Sequence, residues 1–196
     1  MSAVNHRNNS SRNGEEYGFQ LVYPYIHNGA SVHLGVGVSG PILVVRVRVV
    51  GNHYNNGLHD RPFDLLQMSL CDHHGRRLPM GAGNPILQGS LASSLYTIGT
   101  DDDQESGDLT GYWAVFPDAV ITETGNYMAQ LNLIRLVTAS EDTGDLILAS
   151  WQFPIRAAQP AQYSLDNRML YIFSLLEQQG APVSRDAFQN TDGSVI

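Results

Sequence analysis

Residues 111–136 decide the fold of this chain, and they read GYWAVFPDAVITETGNYMAQLNLIRL. Apolar and polar side chains alternate on both sides of a break at Pro117 and Asp118. Such alternation places one set of side chains on the buried face of a sheet and the other set outside. Gly125 and Asn126 suit the positive φ that a tight turn needs. The stretch therefore predicts a β-hairpin against which the rest of the chain packs.

Further strand patterns lie on both sides of this hairpin, at residues 17–25, 31–38, 42–50, 65–72, 86–98 and 146–155. Residues 164–179 instead repeat apolar side chains at helical spacing, with Ser164 as the N-cap and Gly180 as the stop. Short strands at even spacing are typical of a β-sandwich or barrel. We predict an all-β domain over residues 17–188 with a C-terminal α-helix, a disordered tail at 1–16 and a flexible tail at 189–196.

The charge balance limits the partners of this chain. Its net charge is −8, and every basic side chain is an arginine or a histidine. The negative electrostatic field of the whole protein therefore opposes the binding of nucleic acid, and any phosphate contact must come from a local cluster of basic side chains. Arg46 and Arg48 lie two apart on a predicted strand, so their side chains project from the same face. Cys71 is the single cysteine, which excludes an intrachain disulfide and favours a reducing compartment.

Several blocks of the sequence resemble the fungal velvet domain and follow the family's order. They are DRPFD at 60–64, QGSLASS at 88–94, GYWAVFPD at 111–118, TGNY at 124–127 and LEQQG at 176–180. The resemblance implies a Rel/immunoglobulin-like β-sandwich with a C-terminal helix. It also implies a regulator of fungal development, sporulation and secondary metabolism that works in the nucleus and cytoplasm. Velvet proteins form homodimers or heterodimers with another velvet-type protein, and several of them bind double-stranded DNA.

Two sets of residues follow as candidate sites. The DNA-binding candidates are Arg46, Arg48, His53, His59, Arg61, Arg76 and Arg77. The candidates for a partner interface are the apolar helix residues Met169, Ile172, Phe173 and Leu176, which would otherwise pack onto their own sandwich. Ile121, Met128 and Gln130 stand near positions where the family has arginines. This difference leaves open a second hypothesis, an interaction module that partners another regulator without touching DNA.

A third hypothesis is a β-sandwich that binds a small ligand or glycan through the Asn-, His- and Tyr-rich loop at residues 51–60. The histidines do not have the spacing of a zinc site, and the acidic loop at 101–108 lacks the order of a calcium loop. The serines do not form a nucleophile elbow. The longest apolar run, residues 41–50, is too short to span a bilayer. We expect no enzymatic activity, no cofactor, no metal and no membrane partner.

Overall fold

A computed structural model describes residues 16–24, 32–35, 43–50, 64–79, 86–98, 109, 111–136, 145–158 and 166–183. The strands are β1 (Glu16–Tyr23), β2 (Val32–Gly35), β3 (Leu43–Val50), β4 (Asp64–Cys71), β5 (Leu87–Gln88), β6 (Ala92–Ser94), β7 (Tyr96–Thr97), β8 (Tyr112–Phe116), β9 (Val120–Ile121), β10 (Gly125–Leu136) and β11 (Asp145–Ala158). The helix of the described part is α1 (Asn167–Gln178). The prediction of an all-β chain with a C-terminal helix is confirmed.

Hydrogen bonding divides these strands into two large sheets and one small one. A four-stranded sheet has the order β1-β3-β8-β7, and a five-stranded sheet has the order β2-β11-β10-β4-β6. The short strands β5 and β9 pair with each other in a separate two-stranded sheet. β2 runs parallel to β11, whereas the other strand pairs within the described residues are antiparallel.

The predicted β-hairpin at residues 111–136 is wrong. Its first strand, β8, lies in the four-stranded sheet, and its second strand, β10, lies in the five-stranded sheet. Gly125 and Asn126 do not form a turn, because they are strand residues that pair with Ala157 and Arg156 of β11. Alternation reports which face a side chain takes, but it does not report which strand lies alongside. The stretch therefore crosses from one sheet to the other.

The main core lies between the two large sheets. Alternate residues of β1, β3 and β8 meet alternate residues of β4, β10 and β11 in one buried apolar cluster. The rings of Phe19 on β1 and Trp151 on β11 stack with their centroids 6.1 Å apart, so the sheets are in direct contact. Strand patterns on β1, β3, β4 and β11 agree with the sequence prediction within a few residues at each end. The pattern at 86–98 instead forms three short strands, β5, β6 and β7.

Helix α1 forms a third layer on the other face of the four-stranded sheet. Its apolar stripe shares a buried cluster with side chains of that sheet, among them Val44, Trp113 and Val115. The carboxylate of Asp166 accepts the N–H of Met169 at 2.8 Å and caps the helix, while the expected cap Ser164 lies outside the described residues. At the other end, Gly180 has φ +78°, and Ala181 N–H donates to the carbonyl of Leu176. The predicted stop at Gly180 is confirmed as a Schellman motif.

The partner interface predicted on this helix is corrected by the same packing. Its residues are all buried inside the chain: Met169, Ile172, Phe173 and Leu176. They contact their own sheet and cannot also line an exposed docking surface. The predicted tail boundary shifts by one residue, because Glu16 is the first residue of β1. The other residues of both predicted tails lie outside the part of the chain that the structure describes.

Candidate functional site

Arg46 lies inside the protein rather than on a phosphate-binding surface. The residue is 3% exposed, and its guanidinium carbon is 5.4 Å from the centre of the Trp113 ring. Trp113 is itself buried and donates a hydrogen bond from Nε1 to the carbonyl oxygen of Leu109 at 3.2 Å. A guanidinium held over an indole face is stabilised by the ring quadrupole. The prediction that Arg46 contacts DNA is therefore wrong, because a side chain buried over the Trp113 ring does not reach a phosphate.

Gly111 explains how two arginines fit side by side on this face. Its φ is +130°, and a Cβ atom there would lie 3.4 Å from Nε of Arg46 and 3.6 Å from Cγ of Arg48. The same Cβ would lie 3.0 Å from the carbonyl oxygen of Val47. The two side chains therefore lean across a position that has no side chain of its own. Arg48 is half-buried on the same face of β3, as the alternation predicted.

Arg76 and Arg77 are exposed, and they lie on a tight turn that we call the β4 turn, residues 72–77. The turn follows β4 and is closed by a bridge between Cys71 and Arg77. Gly75 adopts φ +77°, which glycine takes without steric cost. His73 and His74 are exposed beside the arginines, with their ring centroids 3.8 Å apart. Four basic side chains thus gather on one short loop of an acidic protein.

The carboxylate of Asp72 organises the β4 turn. Its Oδ1 accepts the N–H groups of His74 and Arg76 at 2.8 and 2.9 Å, and its Oδ2 accepts Nε of Arg76 at 2.8 Å. These donors, the backbone N–H of Arg76 foremost, lower the pKa of Asp72 to about 2. Asp72 therefore remains ionised and partly neutralises Arg76. The net positive charge available to an anion at the turn is therefore smaller than its two arginines alone would give.

The remaining DNA-binding candidates are not brought together within the described residues. Arg46 and Arg48 belong to the four-stranded sheet, whereas Arg76 and Arg77 follow a strand of the five-stranded sheet. His53, His59 and Arg61 lie outside the described residues, as does the loop at 51–60 on which the glycan hypothesis depends. Arg76 and Arg77 thus stay predicted contacts on an exposed turn.

Two of the sequence blocks that carry the velvet resemblance meet in space. The N–H of Ser90 donates to Oδ1 of Asp118 at 2.8 Å, which joins the QGSLASS block to the end of GYWAVFPD. Gly89 adopts φ +98°, and a Cβ atom there would lie 2.1 Å from the carbonyl oxygen of Asp118. Only glycine fits this approach. We call this contact the Gly89–Asp118 junction.

Ser93 ties the same two blocks together a few residues further on. Its buried Oγ accepts the backbone N–H of Val115 at 2.8 Å and donates to the carbonyl oxygen of Ser94 at 2.8 Å. Ser93 belongs to β6 of the five-stranded sheet, and Val115 belongs to β8 of the four-stranded sheet. A single hydroxyl therefore links the two sheets. The periodicity of the sequence does not predict this contact. The occurrence of both blocks in one chain is the feature of the sequence that indicates it.

Asp64, the last residue of the DRPFD block, has a structural partner. Both of its carboxylate oxygens accept from Arg135, at 2.9 Å from Nε and 3.0 Å from Nη2. The two residues face each other in the register of β4 and β10. A bidentate arginine–carboxylate pair fixes geometry as well as charge. This aspartate therefore anchors the start of β4 to the neighbouring strand β10 within the five-stranded sheet.

The described residues give no support for a metal site or a membrane-spanning helix. No group of three or more His, Cys, Asp or Glu side chains in the described ranges is arranged to hold a metal ion. Among the described residues, no helix is long and apolar enough to cross a membrane. Cys71 is buried, and its Sγ lies 3.6 Å from Oε1 of Gln130. This placement confirms the prediction of a small buried residue in a strand.

Comparison with known proteins adds no assignment. No family model matches the chain, and no curated protein matches it.

Proposed function

We propose that the chain is a velvet-like regulatory protein with a Rel/immunoglobulin-like β-sandwich, acting by association with itself or with another velvet-type protein. The role that goes with this proposal is control of fungal development, sporulation and secondary metabolism from the nucleus and cytoplasm. The proposal rests on the resemblance of the sequence blocks. It gives protein association precedence over DNA binding.

The Gly89–Asp118 junction is the observation that carries the proposal. The QGSLASS and GYWAVFPD blocks are 28 positions apart at their Ser90–Asp118 contact, and they form one integrated unit of the fold. The unit explains physically why such blocks occur together in one chain. Gly89 is required by the close approach, and Asp118 is required as the hydrogen-bond acceptor. Two sheets around one core, with a C-terminal helix outside, are compatible with the proposed sandwich.

Burial of Arg46 is the reason for placing protein association first. Of the regularly spaced pair Arg46 and Arg48, Arg46 is buried over Trp113 and cannot contact phosphate, and the net charge of −8 repels phosphate. DNA binding is the second candidate function, and one specific observation favours it. Arg76 and Arg77 are exposed beside two histidines on the β4 turn, so a weak contact with duplex DNA would centre there.

The test combines two measurements on the full chain. Light scattering measures its molar mass alone and after mixing with a purified velvet-domain regulator. Titration with random duplex DNA at low and moderate salt measures phosphate binding, which falls steeply with salt when it is real. We expect a complex by light scattering and a flat, weak response to DNA. A chain that stays monomeric alone and in the mixture would overturn the proposal, and tight salt-dependent DNA binding would favour the second candidate.

A further inference from the structure

Tyr127 lies near the start of β10, where the chain enters the five-stranded sheet after leaving β8 of the four-stranded sheet. We call residues 117–124, which connect these two strands, the crossing. The ring of Tyr127 is half-buried and packs against the main core. Its hydroxyl donates a hydrogen bond of 3.2 Å to the carbonyl oxygen of Glu123, four residues upstream. One side chain therefore contacts both the core and the backbone of the crossing.

Gly125 leaves room for the ring of Tyr127. A Cβ atom on Gly125 would lie 2.9 Å from Cζ and from Oη of Tyr127, and 3.1 Å from Cε2. Residues two apart on a strand share a face, so the ring bends back over the position that has no side chain. This placement brings the hydroxyl within reach of the Glu123 carbonyl. Gly125 thus has a packing role in place of the turn predicted for it.

The surroundings of the hydroxyl favour its protonated form, which is the form that donates. Partial burial of Tyr127 raises the pKa of its phenol above the ordinary value of 10.0, and the negative charge of Glu123 acts in the same direction. At neutral pH the phenol therefore keeps its proton, and its O–H group is available as a donor. The hydrogen bond to the Glu123 carbonyl oxygen uses this donor.

Hydrogen bonds hold the crossing at its beginning, in its middle and at its end. The Gly89–Asp118 junction holds the beginning. In the middle, Thr122 donates its backbone N–H to the carbonyl oxygen of Ile86 at 2.9 Å and its Oγ1 to the same oxygen at 3.3 Å. The bond from Tyr127 holds the end, directly before β10. The first two bonds tie the crossing to residues 86–90, whereas the third ties it to β10.

We propose that Tyr127 forms a tyrosine corner, which keeps the crossing closed against the start of β10. In immunoglobulin-like sandwiches a tyrosine corner lies near the start of strand F, at the corner between strands E and F, and its hydroxyl bonds the backbone a few residues upstream. Strand F lies between strands C and G in one sheet, as β10 lies between β4 and β11. Strand E lies third in the order A-B-E-D of the other sheet, as β8 lies third in β1-β3-β8-β7.

The ring and the hydroxyl of the tyrosine corner make separable contributions. The ring covers Gly125 and part of the core, whereas the hydroxyl fixes the backbone at Glu123. Loss of the hydroxyl alone should therefore free the crossing locally and leave the paired strands in place. The corner is a property of the fold and does not depend on association or on any regulatory role. Its failure would leave the proposed function standing.

The test removes the hydroxyl and follows the exchange of single backbone N–H groups in the full chain by NMR. Tyr127→Phe keeps the ring but cannot donate to the Glu123 carbonyl. Tyr171→Phe is the matched control, because it makes the same change at a tyrosine of α1 that is 55% exposed. The N–H of Thr122 reports opening of the crossing, and that of Leu131, between two paired strands, reports global unfolding.

A second variant releases the corner without touching the tyrosine. Gly125→Ala adds the Cβ atom that would lie 2.9 Å from Cζ of Tyr127, so the ring must move and its hydroxyl leaves the Glu123 carbonyl. Asn126→Ala is its control, since it changes an exposed neighbour on the same strand. Circular dichroism verifies that each variant is folded.

We expect the Thr122 N–H to exchange roughly threefold to tenfold faster in Tyr127→Phe and in Gly125→Ala, which is the factor that one net hydrogen bond supplies. Leu131 should change less than Thr122, and both control variants should exchange as wild type does. Unchanged exchange of Thr122 in either variant would overturn the tyrosine corner. Equal acceleration of Thr122 and Leu131 would also overturn it, because the hydroxyl would then stabilise the whole fold and not the crossing.

Discussion

The backbone N–H of Ser90 donates a hydrogen bond of 2.8 Å to Oδ1 of Asp118 across 28 positions of sequence. The bond lies where the chain leaves the four-stranded sheet after Phe116 and moves toward β10 of the five-stranded sheet. At the same place, the backbone of Gly89 lies close to the backbone carbonyl of Asp118. Together they hold the crossing between the sheets, so substitutions here should disturb the whole fold.

Replacement of Gly89 by alanine should be strongly destabilising. The added Cβ would lie 2.1 Å from the carbonyl oxygen of Asp118, and φ of +98° is unfavourable for any residue with a side chain. We expect Gly89→Ala to lower the free energy of unfolding by about 2–5 kcal/mol, from conformational strain and overpacking together. Urea unfolding followed by tryptophan fluorescence measures the change.

Gly75→Ala is the matched control for this substitution. Its φ is +77°, but a Cβ atom there meets nothing within 4 Å. Only the strain of the positive φ remains, and it should lower the free energy of unfolding by about 1–2 kcal/mol. Equal losses for the two variants would show that the contact with Asp118 adds nothing to stability.

Removal of the Ser93 hydroxyl should expose the cost of an unsatisfied buried donor. Ser93→Ala takes away the acceptor of the Val115 N–H, which lies in the buried strand β8. The expected loss is about 1–3 kcal/mol of unfolding free energy. Ser94→Ala changes a neighbouring exposed serine and should cost less than about 0.5 kcal/mol. Similar unfolding midpoints for the two variants would contradict the role given to the Ser93–Val115 bond.

Substitutions of Arg46 and Arg77 should distinguish an arginine that stabilises the fold from one that is available to bind phosphate. Arg46→Gln removes a buried guanidinium that lies over Trp113, and we expect a loss of about 1–3 kcal/mol together with a shift in tryptophan emission. Arg77→Gln alters an exposed turn and should leave the unfolding curve nearly unchanged. Any affinity for duplex DNA should fall with Arg77→Gln. If Arg46→Gln left stability intact but reduced DNA affinity, the burial of Arg46 would be wrong.

Acid should remove the contribution of Asp72 to stability. Its pKa is 3.8 in the unfolded reference and about 2 in the fold, so the folded state favours the ionised form. The contribution is complete above about pH 4 and disappears as the pH falls toward 2. Wild type should therefore melt above Asp72→Asn at pH 5, and the difference should shrink steadily as the pH approaches 2. A difference that stays constant over this interval would exclude the carboxylate as its source.

Much of the fold follows from local pattern, and the errors have physical causes. The apolar stripe of α1 and the alternation of Val45 and Val47 correctly indicated buried faces. Alternation says nothing about neighbouring strands, so β8 and β10 were paired wrongly. Alternation also assigns the second face of a strand to solvent. It therefore predicts an exposed Arg46, although α1 packs on that side of the sheet. The Gly89–Asp118 junction depends on residues far apart in sequence and has no local signature.

The molar mass of the full chain in solution decides whether association is the mode of action. Light scattering over a dilution series should show a rise from the monomer mass of 21.5 kDa toward twice that value as concentration increases. The same experiment with an added velvet-domain regulator should show a complex that contains both chains. A mass of 21.5 kDa at every concentration, with no complex in the mixture, would contradict the proposal that this protein works through association.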